Sequence, residues 1–303
     1  MELPSSVSIR EVAPRDGLQI EQPIATAAKL DLLAALVATG VRRIEATSFV
    51  SARAVPALAD AEDVAAALGT WPEITWSALV AGIRGAQRAL ASGVTNLEYV
   101  VSAADAHSRA NVGRDTAESE RLIGPIAELV HAAGGTLEVI IATAWDCPFT
   151  GPTPLANTVA VAHAAIAAGA DALCLGDTIG TTTPIRVTDL IAAVRVLDPA
   201  IDIGVHFHDT RGTGIANALS AVLAGVTSLD ASVGGLGGCP FAPGASGNIA
   251  TEELVYLLDG VETGIDLDDL LAAATIAERV IGHELPSSLH RAGGRARPLG
   301  IPD

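Results

Sequence analysis

Lysine is almost missing from this chain: Lys29 is the single one among 303 residues. A Schiff-base mechanism would have to rest on that one side chain near the start of a helical stretch, and is set aside. Basic charge is short in general, with 18 Lys and Arg against 35 Asp and Glu and a net charge of −17. No basic stripe can be built from that balance, so nucleic acid is not an expected partner. Cysteines are few, far apart and odd in number: Cys147, Cys174 and Cys239. That excludes a disulfide scaffold and fits individual thiols in a reducing, cytoplasmic compartment. The longest apolar stretch, around 159–175, is interrupted by His163 and Asp171, so no membrane span is expected. A strand-like run begins by Val7, so a signal or transit peptide is not expected.

What the chain does have is apolar content, 50% against 17% charged, enough to bury a large core. Strand-like runs alternate with Ala- and Leu-rich helical runs. The strands are expected at 7–12, 43–48, 74–80, 97–102, 137–143, 172–176, 203–208 and 228–233. Helices are expected at 26–39, 55–68, 85–92, 117–133, 155–168, 184–197 and 215–224, and Gly40, Gly93, Gly134, Gly169 and Gly225 suit left-handed caps. Eight βα units without a Pro/Ser-rich linker predict an α/β protein of one domain, a TIM (β/α)8 barrel over about residues 7–260. A doubly wound sheet is the alternative. An additional C-terminal helical segment follows over about 261–303, with 267–281 helical and the tail from Ser287 expected to be loosely ordered.

His206 and His208 stand in Val205-His206-Phe207-His208-Asp209-Thr210. On a strand this spacing aims both imidazoles at one face, which suggests a metal; a plain surface alternation is the other reading. Polar clusters recur where a barrel keeps its chemistry, at the C-terminal ends of strands. Arg15-Asp16-Gly17 follows strand 1, Glu45 and Ser48 belong to strand 2, and Asp177-Thr178 follows strand 6. After strand 8 come Gly234-Gly235-Leu236-Gly237-Gly238-Cys239-Pro240 and then Gly247-Asn248, before a helix carrying Glu252. Singly, each reads as a turn, a cap or a loop. Five on one rim point to a site.

With those residues in view, the chain resembles the 3-hydroxy-3-methylglutaryl-CoA lyases, in the metallolyase family of TIM barrels whose Asp-Arg-Glu signature is matched by Asp16, Arg15 and Glu45. The resemblance runs from Ile9 to about Leu271. It is carried by Glu11-Val12-Ala13-Pro14-Arg15-Asp16-Gly17-Leu18-Gln19, Ile44-Glu45-Ala46-Thr47-Ser48-Phe49-Val50, Leu175-Gly176-Asp177-Thr178-Ile179-Gly180, and the run from Gly234 to Asn248. It implies that Asp16, His206, His208 and Asn248 bind a divalent cation. A carboxylate, two imidazoles and an amide suit Mg²⁺ or Mn²⁺ rather than a thiolate-rich zinc site. It also implies a homodimer acting on an acyl-CoA thioester, with no nucleic acid or membrane partner.

The chemistry expected of such a site is retro-aldol cleavage of a carbon-carbon bond β to a thioester, giving acetoacetate and acetyl-CoA. Arg15 is the candidate donor to the enolate oxygen, Asp177 the candidate base or metal-orienting group, and Cys239 the candidate acid. Glu45 is expected to fix Arg15, and Glu252 to orient the metal end. Gln19, Ser48, Asn111 and Arg211 are candidates for substrate specificity. Arg211 stands where better-known lyases carry Tyr, Ile20 replaces Asn, and Ala104-Asp105 replaces Ser-Glu in the loop expected after strand 4. Arg211 is expected to meet a second substrate carboxylate or to pair with a nearby acid. An aldolase releasing pyruvate, a synthase condensing acetyl-CoA, and a silent binding relative are the competing readings.

Overall fold

The structure is a computed structural model that describes residues 3–238 and 247–294. Eight parallel strands close into a barrel: β1 (Ser8–Glu11), β2 (Arg43–Phe49), β3 (Thr75–Val80), β4 (Asn96–Ser102), β5 (Leu137–Ala142), β6 (Ala172–Asp177), β7 (Asp202–Phe207) and β8 (Ser228–Ala231). Each strand pairs with its sequence neighbours, and β8 closes on β1 with Arg10 opposite Asp230. This is the TIM barrel expected, with strand ends displaced by one or two residues. A two-residue hairpin pairing, Asp146–Cys147 with Gly151–Pro152, was not anticipated.

Helices pack around the strands because each presents an apolar face to them. In α1 (Thr26–Ala38) Leu32, Leu33 and Leu36 are fully buried, and truncating any one to Ala costs about 2–5 kcal/mol. The same packing recurs in α3 (Ile83–Ala91), α7 (Leu155–Ala167), α8 (Pro184–Arg195) and α9 (Gly214–Leu223). The five glycines expected as caps all take positive φ, between 73° and 93°.

Three helical expectations need correction. The stretch 55–68 divides into a 3₁₀ turn, Pro56–Leu58, and α2 (Ala61–Ala67), because Asp60 is drawn away to Thr26 and Lys29. The stretch 117–133 divides into α5 (Thr116–Glu120) and α6 (Ile123–Ala132), since Pro125 has no N–H to continue a helix and fits only in a first turn. The expected loop after β4 is instead a helix, α4 (Asp105–Val112), ended by Gly113 in the left-handed conformation. Two turns are too short to display an apolar stripe.

The C-terminal segment belongs to the same body. α10 (Thr251–Leu257) completes the ring, and α11 (Leu267–Ile281) packs between α10 and α1 through Leu270, Ala273, Ala274 and Ala277. The expectation of a loose tail from Ser287 is overturned as far as Gly294. Ser287 caps α12 (Ser288–Ala292) by accepting from the His290 amide, and Glu253 accepts from the Ser288 amide. No helix among the described residues is long and apolar enough to cross a membrane.

Candidate active site

The end of β1 does not run into an ordinary turn. The amides of Arg15, Asp16 and Gly17 all reach the carbonyl of Val12, at 3.1, 2.8 and 3.2 Å, forming one wide π-type turn that sets Arg15 and Asp16 on the barrel's C-terminal rim. Opposite, residues 247–249 lie antiparallel to the end of β7, with Asp209 N to Gly247 O at 3.0 Å and Ile249 N to Phe207 O at 3.1 Å. That pairing sets Asn248 against His208. Glycine is needed to hold it there: a Cβ on Gly247 would stand 2.0 Å from Gly237 O, and Gly237, at φ 123°, has room only for hydrogen beside Asn248 Nδ2.

Asp16, His206 and His208 present ligand atoms within 4.8 Å of one another. The two Nε2 atoms are 3.1 Å apart and each is 3.9 Å from Asp16 Oδ2. Asn248 Nδ2 donates to Asp16 Oδ2 at 2.8 Å and to Leu236 O at 3.1 Å, while its Oδ1 is buried and without a hydrogen-bond partner among the described residues. The donor set fits a divalent cation on two counts. An Nε2 separation of 3.1 Å is about what two adjacent ligands with bonds near 2.1 Å subtend. Asn248 Oδ1 is an orphaned acceptor of the type a hard ion takes.

Electrostatics favour the same arrangement. Burial opposes ionisation of Asp16, but Arg15, His206, His208 and Asn248 outweigh it and hold its carboxyl below the usual range. Burial and the neighbouring His206 push His208 down to about 4, so it is a neutral imidazole at neutral pH.

Arg15 joins this cluster to Glu45. Its Nη1 donates to Asp16 Oδ1 at 2.6 Å, and its Nε lies 2.6 Å from Glu45 Oε1 as an ion pair whose angle is not that of a hydrogen bond. Burial works against the guanidinium's charge, and the two carboxylates more than restore it. Glu45 itself is fully buried; burial and Glu98 push its carboxyl up, against the downward pull of the Arg15 guanidinium beside it. Gln19 Nε2 donates to Asp16 Oδ1 at 2.8 Å.

Arg15, Asp16, Gln19, His206 and His208 line one cavity of about 170 Å³ whose floor is apolar, from Leu79, Val100, Ile140 and Ala142. That is below the roughly 300 Å³ of a site for a drug-sized ligand, so it suits a small acyl group. A larger groove of about 480 Å³ between α8 and α9 contains none of these residues and is mainly apolar, with only Thr188, Arg195 and Ser220 as polar lining. Convergent polar groups, not size, locate the site.

The other candidates divide. Asn111 lines the cavity from α4, and so does His107, one turn earlier, which the sequence reading missed. His107 is buried, its Nδ1 is 3.1 Å from Ser102 Oγ, and burial lowers it to about 4. Ser48 is buried in β2 and is not part of the cavity lining. Asp177 sits at the end of β6, but its two oxygens accept from the amides of Thr181 and Thr182 at 3.1 Å each, which is its alternative reading as a turn or cap residue. Burial raises it to about 6. Glu252 accepts from the Gly234 amide at 3.0 Å, anchoring the glycine-rich loop. Among the described residues Arg211 has no acid partner: its Nη1 donates to the carbonyls of Ile179 and Gly180, tying the loop after β6 to the loop after β7. Lys29 is buried and paired with Asp60, away from the cavity. Cys239 lies outside the described residues.

The HMGL-like family matches residues 6–277. The chain belongs to that family. Among its relatives, this HMGL-like chain is 40% identical over 290 residues to the hydroxymethylglutaryl-CoA lyase YngG of Bacillus subtilis, covering 95% of this chain and 97% of the relative. It is also 40% identical over 301 residues to the (R)-citramalyl-CoA lyase of Chloroflexus aurantiacus, covering 95% of each. A solved HMG-CoA lyase from Acinetobacter baumannii, in complex with coenzyme A and 3-methylmalate, superposes with a TM-score of 0.94 at 37% identity over the whole of both chains.

Proposed function

We propose that this protein is a divalent-metal-dependent carbon-carbon lyase that cleaves 3-hydroxy-3-methylglutaryl-CoA to acetoacetate and acetyl-CoA. The observation that carries this reading is the cluster of Asp16, His206 and His208 within 4.8 Å, tied through Asp16 to Arg15 in one small cavity. Asp16, His206, His208 and Asn248 would hold the ion, Mg²⁺ or Mn²⁺, which would supply Lewis acidity toward the substrate's tertiary hydroxyl and free carboxylate.

The chain's own side chains do the rest. Arg15 places a fixed positive charge where the thioester enolate develops, and Glu45 with Asp16 holds its fork in place. Leu79, Val100, Ile140 and Ala142 exclude water and receive the methyl group. A general base takes the hydroxyl proton and the carbon-carbon bond breaks, its electron pair leaving as the thioester enolate while the carbinol carbon becomes the ketone of acetoacetate. An acid then returns a proton to the enolate carbon to leave acetyl-CoA. Cys239, outside the described residues, is the proposed acid. The reading includes a homodimer and a cytoplasmic setting.

A second reading is the same chemistry on citramalyl-CoA, favoured by equal identity to a relative of that name. Incubation with each thioester, with Mg²⁺ or Mn²⁺ and after chelation, separates the two. Acetoacetate and acetyl-CoA are expected from the first substrate with metal and not without it. Pyruvate from citramalyl-CoA at a higher kcat/KM reassigns the substrate, and steady turnover after chelation sinks the mechanism.

A further inference from the structure

Beneath the two histidines the barrel interior carries a charged layer that the proposed chemistry does not use. Arg10 on β1, Glu98 on β4, Glu138 on β5 and Asp230 on β8 point inward, where barrels of this kind ordinarily stack Val, Ile and Leu. Strand register sets Arg10 beside Asp230 and Asp230 beside His206. Arg10 grips Asp230 with a two-pronged pair, Nε to Oδ1 at 2.8 Å and Nη2 to Oδ2 at 2.9 Å. Its Nη1 donates to Glu98 at 2.6 Å and to Glu138 at 2.5 Å. His206 Nδ1 then lies 3.2 Å from Asp230 Oδ2.

The direction of that last bond follows from the donors around it. A guanidinium only donates, so a carboxylate that meets its fork on both oxygens acts as an acceptor on both and carries no proton. The contact with His206 is therefore Nδ1–H donating to Oδ2. A neutral imidazole has one N–H, so Nε2 is left with its lone pair. Nε2 is also the atom 3.1 Å from His208 Nε2 and 3.9 Å from Asp16 Oδ2.

We propose that Asp230, locked by Arg10, is a positioning residue that holds His206 in the Nδ1–H tautomer, so that Nε2 faces the cation site as an acceptor. The inference rests on the reading of Asp16, His206, His208 and Asn248 as a divalent-cation site. Were Asp230 only the counter-ion of Arg10, its replacement would change stability and leave the imidazole as it is. As a positioning residue it governs both the tautomer and the affinity for the ion, because a carboxylate behind a ligating histidine typically contributes 10- to 100-fold to metal binding.

The test begins with the metal-free wild-type protein, labelled with ¹⁵N in its seven histidines. Nitrogen-proton correlation spectra at about pH 8, where imidazoles are neutral, are compared with those of His206→Gln to assign the signal. The expected result is an Nδ1–H imidazole at His206. Asp230→Asn, whose amide can donate to Nδ1, is expected to convert it to Nε2–H and to weaken Mn²⁺ binding in calorimetry by about 10- to 100-fold. Asp230→Glu is expected to recover part of both. An Nε2–H imidazole in the wild type overturns the proposal, as does an Asp230→Asn protein that binds Mn²⁺ as tightly as wild type. If Asp230→Asn does not fold, the wild-type spectrum still decides the tautomer. A wild type with the Nδ1–H imidazole and no affinity for Mn²⁺ fails the cation reading itself, a different result from failure of the Asp230 contact.

Discussion

Asn248 donates its amide nitrogen to Asp16 Oδ2 at 2.8 Å, joining two ends of the barrel rim that are 232 residues apart in the chain. Its nitrogen is fully used, by Asp16 and by Leu236 O, and its oxygen is buried without a partner among the described residues. Asn248→Ala removes that oxygen and leaves Asp16 short of one donor. The expected outcome is a loss of about 1–3 kcal/mol in urea unfolding and Mn²⁺ binding weakened about 10-fold or more by calorimetry. Asn248→Asp sets a second carboxylate against Asp16; it is expected to be less stable than wild type without metal and to regain stability when Mn²⁺ is added.

Arg15 spans Asp16 and Glu45 at once, a reach that depends on a planar fork. A lysine keeps the charge but not the geometry. Both Arg15→Lys and Arg15→Gln are expected to lower kcat by about 10²- to 10³-fold, the Gln variant more, with Mn²⁺ affinity close to wild type. Equal kcat in Arg15→Gln and wild type removes Arg15 from the chemistry.

Glu11, one turn before Arg15, is buried among donors: Ala13 N and Val233 N reach Oε1 at 2.9 and 3.0 Å, and Thr251 Oγ1 reaches Oε2 at 2.7 Å. Burial outweighs them and raises its carboxyl from 4.5 to about 7. The protonated form is thus favoured by the folded state, so its contribution is complete below about pH 4.5 and lost as pH rises through about 7. The effect is on the order of 3 kcal/mol. Glu11→Gln keeps an acceptor for both amides and a donor for Thr251, so its unfolding free energy is expected to be flatter between those pH values. A variant with the same slope as wild type places the titration elsewhere.

Much of this fold is written locally. Alternation of apolar residues located all eight strands; His206 and His208 were legible from their spacing on a strand, and Asp16 and Asn248 through the short runs that carry the family resemblance. Arg10, Glu98, Glu138 and Asp230 were not, since Arg10's partners lie 88, 128 and 220 residues away on other strands. Only barrel closure brings them together. The partners of Arg211 were hidden for a related reason: they are backbone carbonyls, which leave no mark in a sequence.

Asp177 separates two roles cleanly. Its carboxylate holds the amides of Thr181 and Thr182, and Asn in its place offers one acceptor and turns an NH₂ toward the second amide. Asp177→Asn is expected to lose about 1–3 kcal/mol of stability while the folded enzyme keeps kcat within about 10-fold of wild type. General-base catalysis is worth about 10²- to 10⁴-fold, so a loss of that size at unchanged stability restores Asp177 as the base.

His107 reaches the cavity from α4 at the end of a hydrogen-bonded arc. Its Nδ1 meets Ser102 Oγ, which is 2.9 Å from Thr143 Oγ1, and Thr143 N donates to Thr178 Oγ1 at 2.7 Å. Thr143 is the one described non-glycine residue at positive φ, 54°, a conformation costly for a β-branched side chain and retained here by its neighbours. With its imidazole lowered to about 4, His107 can offer a ligand in the cavity a neutral hydrogen bond, not a charge. His107→Phe keeps the bulk and removes the polar edge. It is expected to lower kcat/KM about 10-fold, the worth of one hydrogen bond of about 1.4 kcal/mol, with Mn²⁺ affinity unchanged. His107→Gln is expected to recover part of the loss. If His107→Phe weakens Mn²⁺ binding as much as it lowers kcat/KM, the residue acts on the metal end and not on the substrate.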